Sequence, residues 1–226
     1  MIYENIREAR FLSRPNRFVA NIEIHGRTEV CHVKNTGRCR ELLLPGAEIY
    51  VQEWNSSHRK TKFDLIAVRK GKRLINMDSQ APNKVFSEWV QDGGFLSGVT
   101  AVKPEVRFGS SRLDFCIEAE GRKIFAEIKG VTLEQNGVVL FPDAPTQRGV
   151  KHLEELMECV RQGYEAYAVF IIQMEQVKYF TPNRGMHAAF ADTLREASAF
   201  GVKVLALDCR VEPNLLAVGN SVEVRL

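Results

Sequence analysis

The chain has 226 residues, of which 45% are hydrophobic and 26% are charged, a composition typical of a folded protein with one large or two small domains. No apolar run approaches the roughly 20 residues that a membrane-spanning helix needs, and the first ten residues lack the apolar core of a signal peptide. We therefore expect a cytoplasmic protein with no membrane partner.

The net charge of +3 is unevenly distributed along the chain. Residues 1–80 contain 15 Lys and Arg against 9 Asp and Glu, whereas the remainder contains 16 against 19. A basic front half favours a polyanionic partner, and a slightly acidic back half favours carboxylates that bind a cation. Ordinary scatter of solvated charges is the alternative. The five cysteines are scattered without C-x-x-C spacing, which indicates reduced thiols rather than disulfides or a zinc site.

The front of the chain is predicted to be a small β domain, residues 1–80. Between residues 18 and 76 five short runs alternate in polarity and are separated by turn signals: RFVANIEIHG, TEVCHV, AEIYVQEW, FDLIAV and RLINM. About five strands of this length are compatible with a partly open barrel. The loop Asn35-Thr36-Gly37-Arg38 lies between the second and third runs, followed by a brief helical turn and the breaker Pro45-Gly46.

The second domain is predicted to span residues 81–226. A turn-forming cluster at 80–83 precedes a helix over 84–91, and further helices are expected over 146–162 and 183–200. The apolar run AYAVFII follows the helix over 146–162 and the glycine that ends it. The run KVLALDC follows the helix over 183–200 and its glycine in the same way. Both are predicted to be buried strands. Strands that alternate with helices predict an α/β layer structure.

The segment RLDFCIEAEGRKIFAEIKGV carries the predicted chemistry. A two-residue turn at Glu120-Gly121 would place Asp114 opposite Glu127, with Cβ atoms roughly 4.5 to 5.5 Å apart. Strand alternation puts Lys129 on the same face. The opposite face is predicted to be apolar and to pack on a core; it consists of Leu113, Phe115, Ile117, Ile124, Ala126 and Ile128.

Two adjacent carboxylates repel each other unless a positive charge lies between them. Mg²⁺ resolves this conflict, since it takes one or two carboxylates and retains waters for substrate phosphates. Such an ion can polarise a phosphodiester, and Lys129 can orient the attacking water or stabilise the phosphorus centre. The alternative is the solvated face of an ordinary hairpin. Cys116 and Phe125 on the same face indicate instead that it is partly covered.

Further residues are candidates for this site. Glu105, on the strand that enters the hairpin, and Glu88, on the preceding helix, are candidate acids, although each also fits a plain surface position. The helix that begins near residue 146 carries polar groups in its first turns, and a helix N-terminus with added positive charge suits a phosphate. An ordinary amphipathic helix is the alternative. These groups are Gln147, Arg148, Lys151 and His152.

The segments SRLDF, AEIKGVTL, FPDAPTQRGVKHLEEL and NTGRCRELLLPG together closely resemble the bacterial and archaeal sugar fermentation stimulation protein A family, over essentially the whole chain. The resemblance implies an N-terminal OB-like β-barrel, a C-terminal α/β domain of the PD-(D/E)xK restriction-endonuclease-like type, and DNA binding. It implies Mg²⁺ or Mn²⁺ at Asp114, Glu127 and Ile128, with Lys129 catalytic and Glu105 or Glu88 as an additional acid. Leu113 stands where the nuclease class often has proline.

An OB-like barrel binds strands through a basic groove and aromatic rings on which bases stack. The loop around Gly37 can bring backbone N–H groups and an arginine to a phosphate, or it can be a plain turn. Phe18, inside an alternating strand, is expected to be core rather than a stacking ring. The basic candidates are Arg14, Arg17, Arg38, Arg40, Arg59, Lys60 and Lys62. The candidate rings are Phe11, Phe18 and Trp54.

These observations predict a DNA-binding protein with a Mg²⁺-dependent nuclease site. A non-catalytic DNA-binding regulator of sugar metabolism genes, built on a nuclease-like fold, is the second hypothesis. RNA is a third possible partner, since nothing in the sequence selects a deoxyribose. Single- or double-stranded substrate and self-association of the chain are left open.

Overall fold

The computed structural model describes residues 1–35, 37–55 and 58–226. Thr36 of the predicted NTGR loop therefore lies outside the described residues. Within them the chain forms fifteen strands and three helices. In these described ranges, no helix is both long enough and apolar enough to cross a membrane.

The N-terminal part is a five-stranded closed barrel with a sixth strand beside it. Its sheet order is β3-β2-β1-β4-β5-β6, and a parallel pairing of β3 with β5 closes the barrel. Phe11, Ile22, Ile49 and Leu65 are among the side chains buried inside. The strands are β1 (Ile6–Asn16), β2 (Val19–Ile24), β3 (Arg27–His32), β4 (Glu48–Glu53), β5 (Phe63–Lys70) and β6 (Arg73–Asn76).

The five predicted strands of the front domain are confirmed, but β1 was not predicted. Only Ala9 and Phe11 of its eleven residues are buried, and most of the others are charged or polar and exposed. Its pairing with β2 and β4, rather than an apolar alternation, holds it extended. This is a case in which tertiary context decides strand formation.

The C-terminal part is a mixed α/β domain around a six-stranded sheet of order β15-β14-β12-β9-β8-β7. A small second sheet has the order β10-β11-β13. The elements are α1 (Ala81–Gln91), β7 (Val99–Phe108), β8 (Ser111–Ala119), β9 (Arg122–Val131), β10 (Leu133–Gln135), β11 (Val138–Phe141), α2 (Gln147–Arg161), β12 (Glu165–Ile172), β13 (Tyr179–Pro182), α3 (Ala188–Phe200), β14 (Lys203–Glu212) and β15 (Leu215–Ser221).

Helices cover both faces of the large sheet, as the α/β prediction requires. Helix α1 packs through Val85, Phe86 and Val90 on one face, and α2 and α3 pack on the other. The core between the sheet and the helices α2 and α3 is continuous with the interior of the barrel. The strands β8, β9 and β12 are therefore buried on both sides.

The helix boundaries were predicted unequally well. The α2 prediction is confirmed, with the Thr146 hydroxyl accepting the Gly149 N–H at 3.0 Å as an N-cap. Helix α1 begins at Ala81 rather than 84, because Pro82 occupies the first turn, where it needs no N–H partner. Helix α3 begins at Ala188 rather than 183, because residues 183–187 form a hydrogen-bonded turn instead. The short strands β10, β11 and β13 contain too few residues to show the alternation of polar and apolar residues from which a strand is predicted.

A buried ion pair joins the barrel to the C-terminal domain. Glu134 of β10 lies 2.7 Å from Nζ of Lys70 and 3.1 Å from a guanidinium nitrogen of Arg73. The Glu134 side chain is buried, whereas Lys70 is about one-third exposed. Removing one partner of such a pair leaves charge without compensation.

We expect Glu134→Gln, which removes the charge and keeps the shape, to lower the free energy of unfolding by about 2 kcal/mol, since partial exposure of Lys70 weakens the pair. The melting temperature should fall by roughly 4 to 8 °C. Thermal unfolding at pH 7 measures this, with Glu154→Gln on the exposed face of α2 as the matched control. Equal melting of both variants would contradict the prediction.

The same variant has a predicted pH dependence. Burial raises the pKa of Glu134, but hydrogen bonds from Lys70 and the Gly137 N–H outweigh it, so the folded pKa lies below the ordinary value. A carboxyl with a lowered folded pKa contributes stability above its unfolded pKa, and this contribution is lost as pH falls through the folded value. The difference between wild type and variant should thus shrink below about pH 4.

Candidate functional site

The β8–β9 hairpin has the predicted register. Glu120 and Gly121 form its turn with φ values of 48° and 76°, as a type I′ turn requires. Paired residues run from Ala119 with Arg122 to Phe115 with Ala126, so the next step places Asp114 beside Glu127. There the regular pairing ends, and the carboxylate of Asp114 accepts the N–H of Ile128 at 2.7 Å.

The predicted apolar face is confirmed except at Leu113. Five of the six predicted apolar residues pack in the core beneath α1, but Leu113 belongs to the core on the α2 side. Leu113 pairs with Val106 of β7, and the preceding residue Glu105 has a φ of 51°, so the regular alternation breaks at this point. Cys116 and Phe125 are only 5% and 6% exposed, which confirms that the face of the two carboxylates is covered.

Glu127 is buried between β9 and α2. One of its carboxylate oxygens, Oε1, contacts both Nζ of Lys129 and Nδ1 of His152. The other, Oε2, is buried and has no hydrogen-bond partner among the described residues. An unsatisfied buried carboxylate oxygen is costly unless another group binds it.

His152 is oriented by a second helical residue. Nε of Arg148 donates to Nε2 of His152 at 3.2 Å, so Nε2 accepts and Nδ1 carries the proton that faces Glu127. Arg148 itself is exposed, whereas His152 is buried. A chain of hydrogen bonds therefore leads from the surface at the start of α2 to the carboxylate of Glu127.

The two carboxyl groups have pKa values shifted in opposite directions. Burial and the negative charge of Glu127 raise the pKa of Asp114, although the Ile128 N–H and Lys129 oppose this. Burial also raises the pKa of Glu127, but the hydrogen bond from His152 and the charge of Lys129 outweigh it and hold the pKa below its ordinary value. Adjacent groups with divergent pKa values are typical of functional sites.

The donor set fits a hard divalent cation such as Mg²⁺. Two carboxylates lie side by side, and Oε2 of Glu127 is without a partner among the described residues. Ile128 has no side-chain ligand atom, so only its main chain is available to a metal. No group of three or more His, Cys, Asp or Glu side chains suited to a metal occurs in the described part of the chain. An ion here would retain waters, as Mg²⁺ commonly does.

The two additional acids do not join this pair. Glu105 is 72% exposed and forms a salt bridge with Arg112 at 3.2 Å. Glu88 is 2.6 Å from the N-terminal ammonium group of Met1. The structure thus gives both glutamates partners elsewhere, because the chain terminus and a cross-strand arginine lie closer to them.

The roles of two neighbours of the carboxylates were not predicted from the sequence. Asn83 at the start of α1 donates to Oδ1 of Asp114 at 3.0 Å, and no sequence signal marks it. His152 was predicted only as one polar group at a helix start. Its spacing of four from Arg148 puts both on one helix face, but its contact with Glu127 depends on how α2 docks.

Six of the predicted nucleic-acid residues fall into three groups. Arg17, Arg38 and Arg40 line an open depression of about 450 Å³ beside Ala144. Arg148 and Lys151 are exposed on α2. Lys60 is exposed in the segment between β4 and β5, distant in sequence from both groups.

Arg14 lines the same depression but has a structural role. Its guanidinium donates to four main-chain carbonyls, at 2.7 to 2.9 Å: those of Arg17, Asn35, Gly37 and Arg38. Four carbonyl partners leave it little capacity for a phosphate. Arg14 instead fixes the loop that presents Arg38.

Two of the predictions for aromatic residues were wrong. Phe18 is 50% exposed rather than core, because it lies in the β1–β2 turn, and the Arg17 guanidinium lies 5.7 Å from its ring centre. Phe11 is only 2% exposed and is not available for stacking. Trp54 is partly buried beneath Arg59.

Comparison with known proteins defines the class first and then the family. Residues 12–77 match the SfsA N-terminal OB domain, and residues 80–215 match the sugar fermentation stimulation protein RE domain. The protein is thus an OB barrel joined to a mixed α/β domain.

Full-length relatives agree with this assignment. The sugar fermentation stimulation protein homologs of Desulfitobacterium hafniense (strain DSM 10664 / DCB-2) and Ruminiclostridium cellulolyticum are 61% and 54% identical over 226 residues, covering 100% of this chain and 99% and 100% of theirs. The structure of Pyrococcus furiosus SfsA in complex with Ca²⁺ is 30% identical with a TM-score of 0.91, over 100% of this chain and 98% of that one. The chain belongs to the sugar fermentation stimulation protein family.

Gly130, which directly follows Lys129, should be intolerant of a side chain. A Cβ there would lie 2.6 Å from Oε1 of Gln173 and 2.7 Å from Cγ of Pro82. We expect Gly130→Ala to lower the free energy of unfolding by about 1 to 3 kcal/mol through overpacking. Gly185→Ala is the control, since its Cβ would approach nothing closer than 3.8 Å. Chemical denaturation of both variants measures this, and equal stability would contradict it.

Proposed function

We propose that this protein binds DNA and that Asp114, Glu127 and Lys129 form a Mg²⁺- or Mn²⁺-dependent phosphodiesterase site of the PD-(D/E)xK nuclease type. The observation that carries the proposal is Oε2 of Glu127, which has no partner among the described residues and is buried beside a second carboxylate whose pKa is raised by burial and by the charge of Glu127. Burial of two adjacent carboxylates without a bound cation is unfavourable.

A related structure supports a cation at oxygen ligands. The Pyrococcus furiosus SfsA structure was determined in complex with Ca²⁺. Ca²⁺ and Mg²⁺ are both hard cations that prefer carboxylate, carbonyl and water oxygens. In the present chain Asp114 and Glu127, with main-chain oxygen at Ile128, would hold the ion. When bound, it would polarise the phosphodiester and neutralise developing charge.

The protein's own groups supply positioning and charge. Lys129 is partly exposed and projects from the same strand as Glu127, so its ammonium can shift from the carboxylate to a phosphate oxygen or an attacking water. His152 holds the carboxylate of Glu127 in one orientation. Arg148 and Lys151 at the start of α2 would contact phosphates of a bound strand.

Cleavage assays with single- and double-stranded DNA in Mg²⁺ or Mn²⁺ test the proposal. We expect Glu127→Gln and Lys129→Ala each to slow cleavage about 100-fold or more, because each removes a group that stabilises the transition state. Glu118→Gln, on the same strand as Asp114 and in a salt bridge with Lys103, is the control and should cleave at the wild-type rate. Equal rates, or no cleavage by any protein, would reject the nuclease.

The second candidate function is a non-catalytic DNA-binding regulator. The observation that favours it is the contact of Lys129 and His152 with the same oxygen of Glu127, which already compensates part of the buried charge. A regulator would bind DNA with a strong salt dependence and no need for metal. RNA would serve either function equally well where contacts are made to phosphates alone.

Calorimetric titration of Mg²⁺ separates the two functions. We expect the nuclease to bind Mg²⁺ in the micromolar-to-millimolar range, with binding abolished in Asp114→Asn and retained in Asp92→Asn at the far end of α1. Absence of heat in the wild-type protein, together with salt-sensitive DNA binding, would instead support the regulator.

A further inference from the structure

A polar cavity of about 180 Å³ lies between the barrel and the C-terminal domain, and the proposed phosphodiesterase chemistry does not use it. Asn35 and Gly37 line it from the barrel, Gly130 and Thr132 from the end of β9, and Asp143 from the segment before α2. Gly130 is the residue after Lys129. The cavity is therefore one residue along β9 from the candidate active site.

The cavity is also adjacent to the arginine depression. Gly37 lines both, and Asp143 of the cavity neighbours Ala144 of the depression. A strand whose phosphates lie on Arg38 and Arg40 would thus pass this cavity before it reaches Lys129. The phosphates would lie outside, and one base would face inward.

Several hydrogen-bonding groups in the cavity have no partner among the described residues. The carboxylate of Asp143 takes part in no hydrogen bond or ion pair with them. Asn35 uses Oδ1 to accept the Gly37 N–H at 2.8 Å, which leaves its amide nitrogen as a donor. Gln173 uses Nε2 to donate to Asn76 and to the carbonyl of Asp78, which leaves its Oε1 as an acceptor.

We propose that this cavity binds one unpaired nucleobase that carries an exocyclic amino group, so that guanine, cytosine or adenine is preferred to thymine or uracil. The proposal rests on the proposed function, because it assumes a nucleic-acid partner. Asp143 accepts from the amino group, as carboxylates do from cytosine N4, and Asn35 donates to a ring or carbonyl acceptor. Apolar walls are supplied by Leu133, Leu140 and Phe141.

The consequence for substrate class is that the strand must be unpaired at this position. A base reaches such a cavity only when it has left the duplex stack. Single-stranded DNA or RNA, or a frayed duplex end, satisfies this at little cost. The lining requires glycine at both positions, because a Cβ on Gly37 would meet the carboxylate of Asp143, and one on Gly130 would meet Gln173.

The test is equilibrium binding of labelled 12-nucleotide strands by fluorescence anisotropy, in EDTA and at one fixed salt concentration. The strands are oligo-dT and oligo-dT with a single central dG, dC, dA or abasic position. We expect the wild-type protein to bind the strands containing an amino-bearing base about fivefold or more tightly than oligo-dT. The abasic strand should bind no better than oligo-dT.

Two variants assign the preference to the cavity. Asp143→Ala, which removes the carboxylate acceptor altogether, should abolish it, and Asn35→Ala should reduce it. Asp92→Ala removes the same group far from the cavity and should retain it. Equal binding of all strands, or a preference that persists in Asp143→Ala, overturns the base site alone. No binding of any strand overturns it together with the proposed nucleic-acid partner, whereas absence of cleavage with the preference intact rejects only the nuclease.

Discussion

The burial of the Glu127 carboxylate is the constraint on which the site depends. Glu127 is 3% exposed in a sheet covered on both faces, and a charge in such a place must be compensated by neighbours. Lys129 comes from the same strand, but His152 comes from α2, so the helix must dock with its first turns over β9. The capping of α2 by Thr146 and the close approach of Gly149 to Phe190 at its start fix that position. Arg148, which contacts His152, and Lys151 are thereby exposed on the first turns of α2.

The regular pairing of β8 with β9 ends at this site. Beyond Phe115 the ladder is replaced by a side-chain contact, since Asp114 accepts the Ile128 N–H. On its other side β9 continues in parallel with β12 as far as Val131 and Ile172. Gln173, the residue after the end of β12, forms hydrogen bonds with β6 through both its main chain and its side chain. The barrel is therefore anchored at the same end of the sheet as the carboxylates, which places its arginines in a fixed relation to them.

The sequence predicted those features that local chemistry determines. The Glu-Gly turn sets the hairpin register, and the register places Asp114, Glu127 and Lys129 together without knowledge of any other element. The contacts of His152 and Asn83 depend on helix docking, which no local pattern encodes. The predictions for Leu113 and Phe18 were wrong for a related reason, since both assumed a strict alternation of buried and exposed side chains. At Leu113 the strand departs from this alternation, and at Phe18 the strand has not yet begun. β1 escaped prediction because its partners, not its composition, keep it extended.

Other buried carboxylates in the same chain show what a purely structural role looks like. Asp64 is 1% exposed, and both of its oxygens have partners: Arg59 and His32 at one, Trp54 and Lys34 at the other. Glu134 likewise has a cation at each oxygen. Glu127 differs, because Lys129 and His152 share one oxygen and the second is left without a partner in the described part of the chain. A carboxylate kept only for stability would be expected to satisfy both oxygens, as its two counterparts do. The unsatisfied oxygen bears the cost of burial without compensation, and the proposed cation, shared with Asp114, would remove that cost at both carboxylates at once.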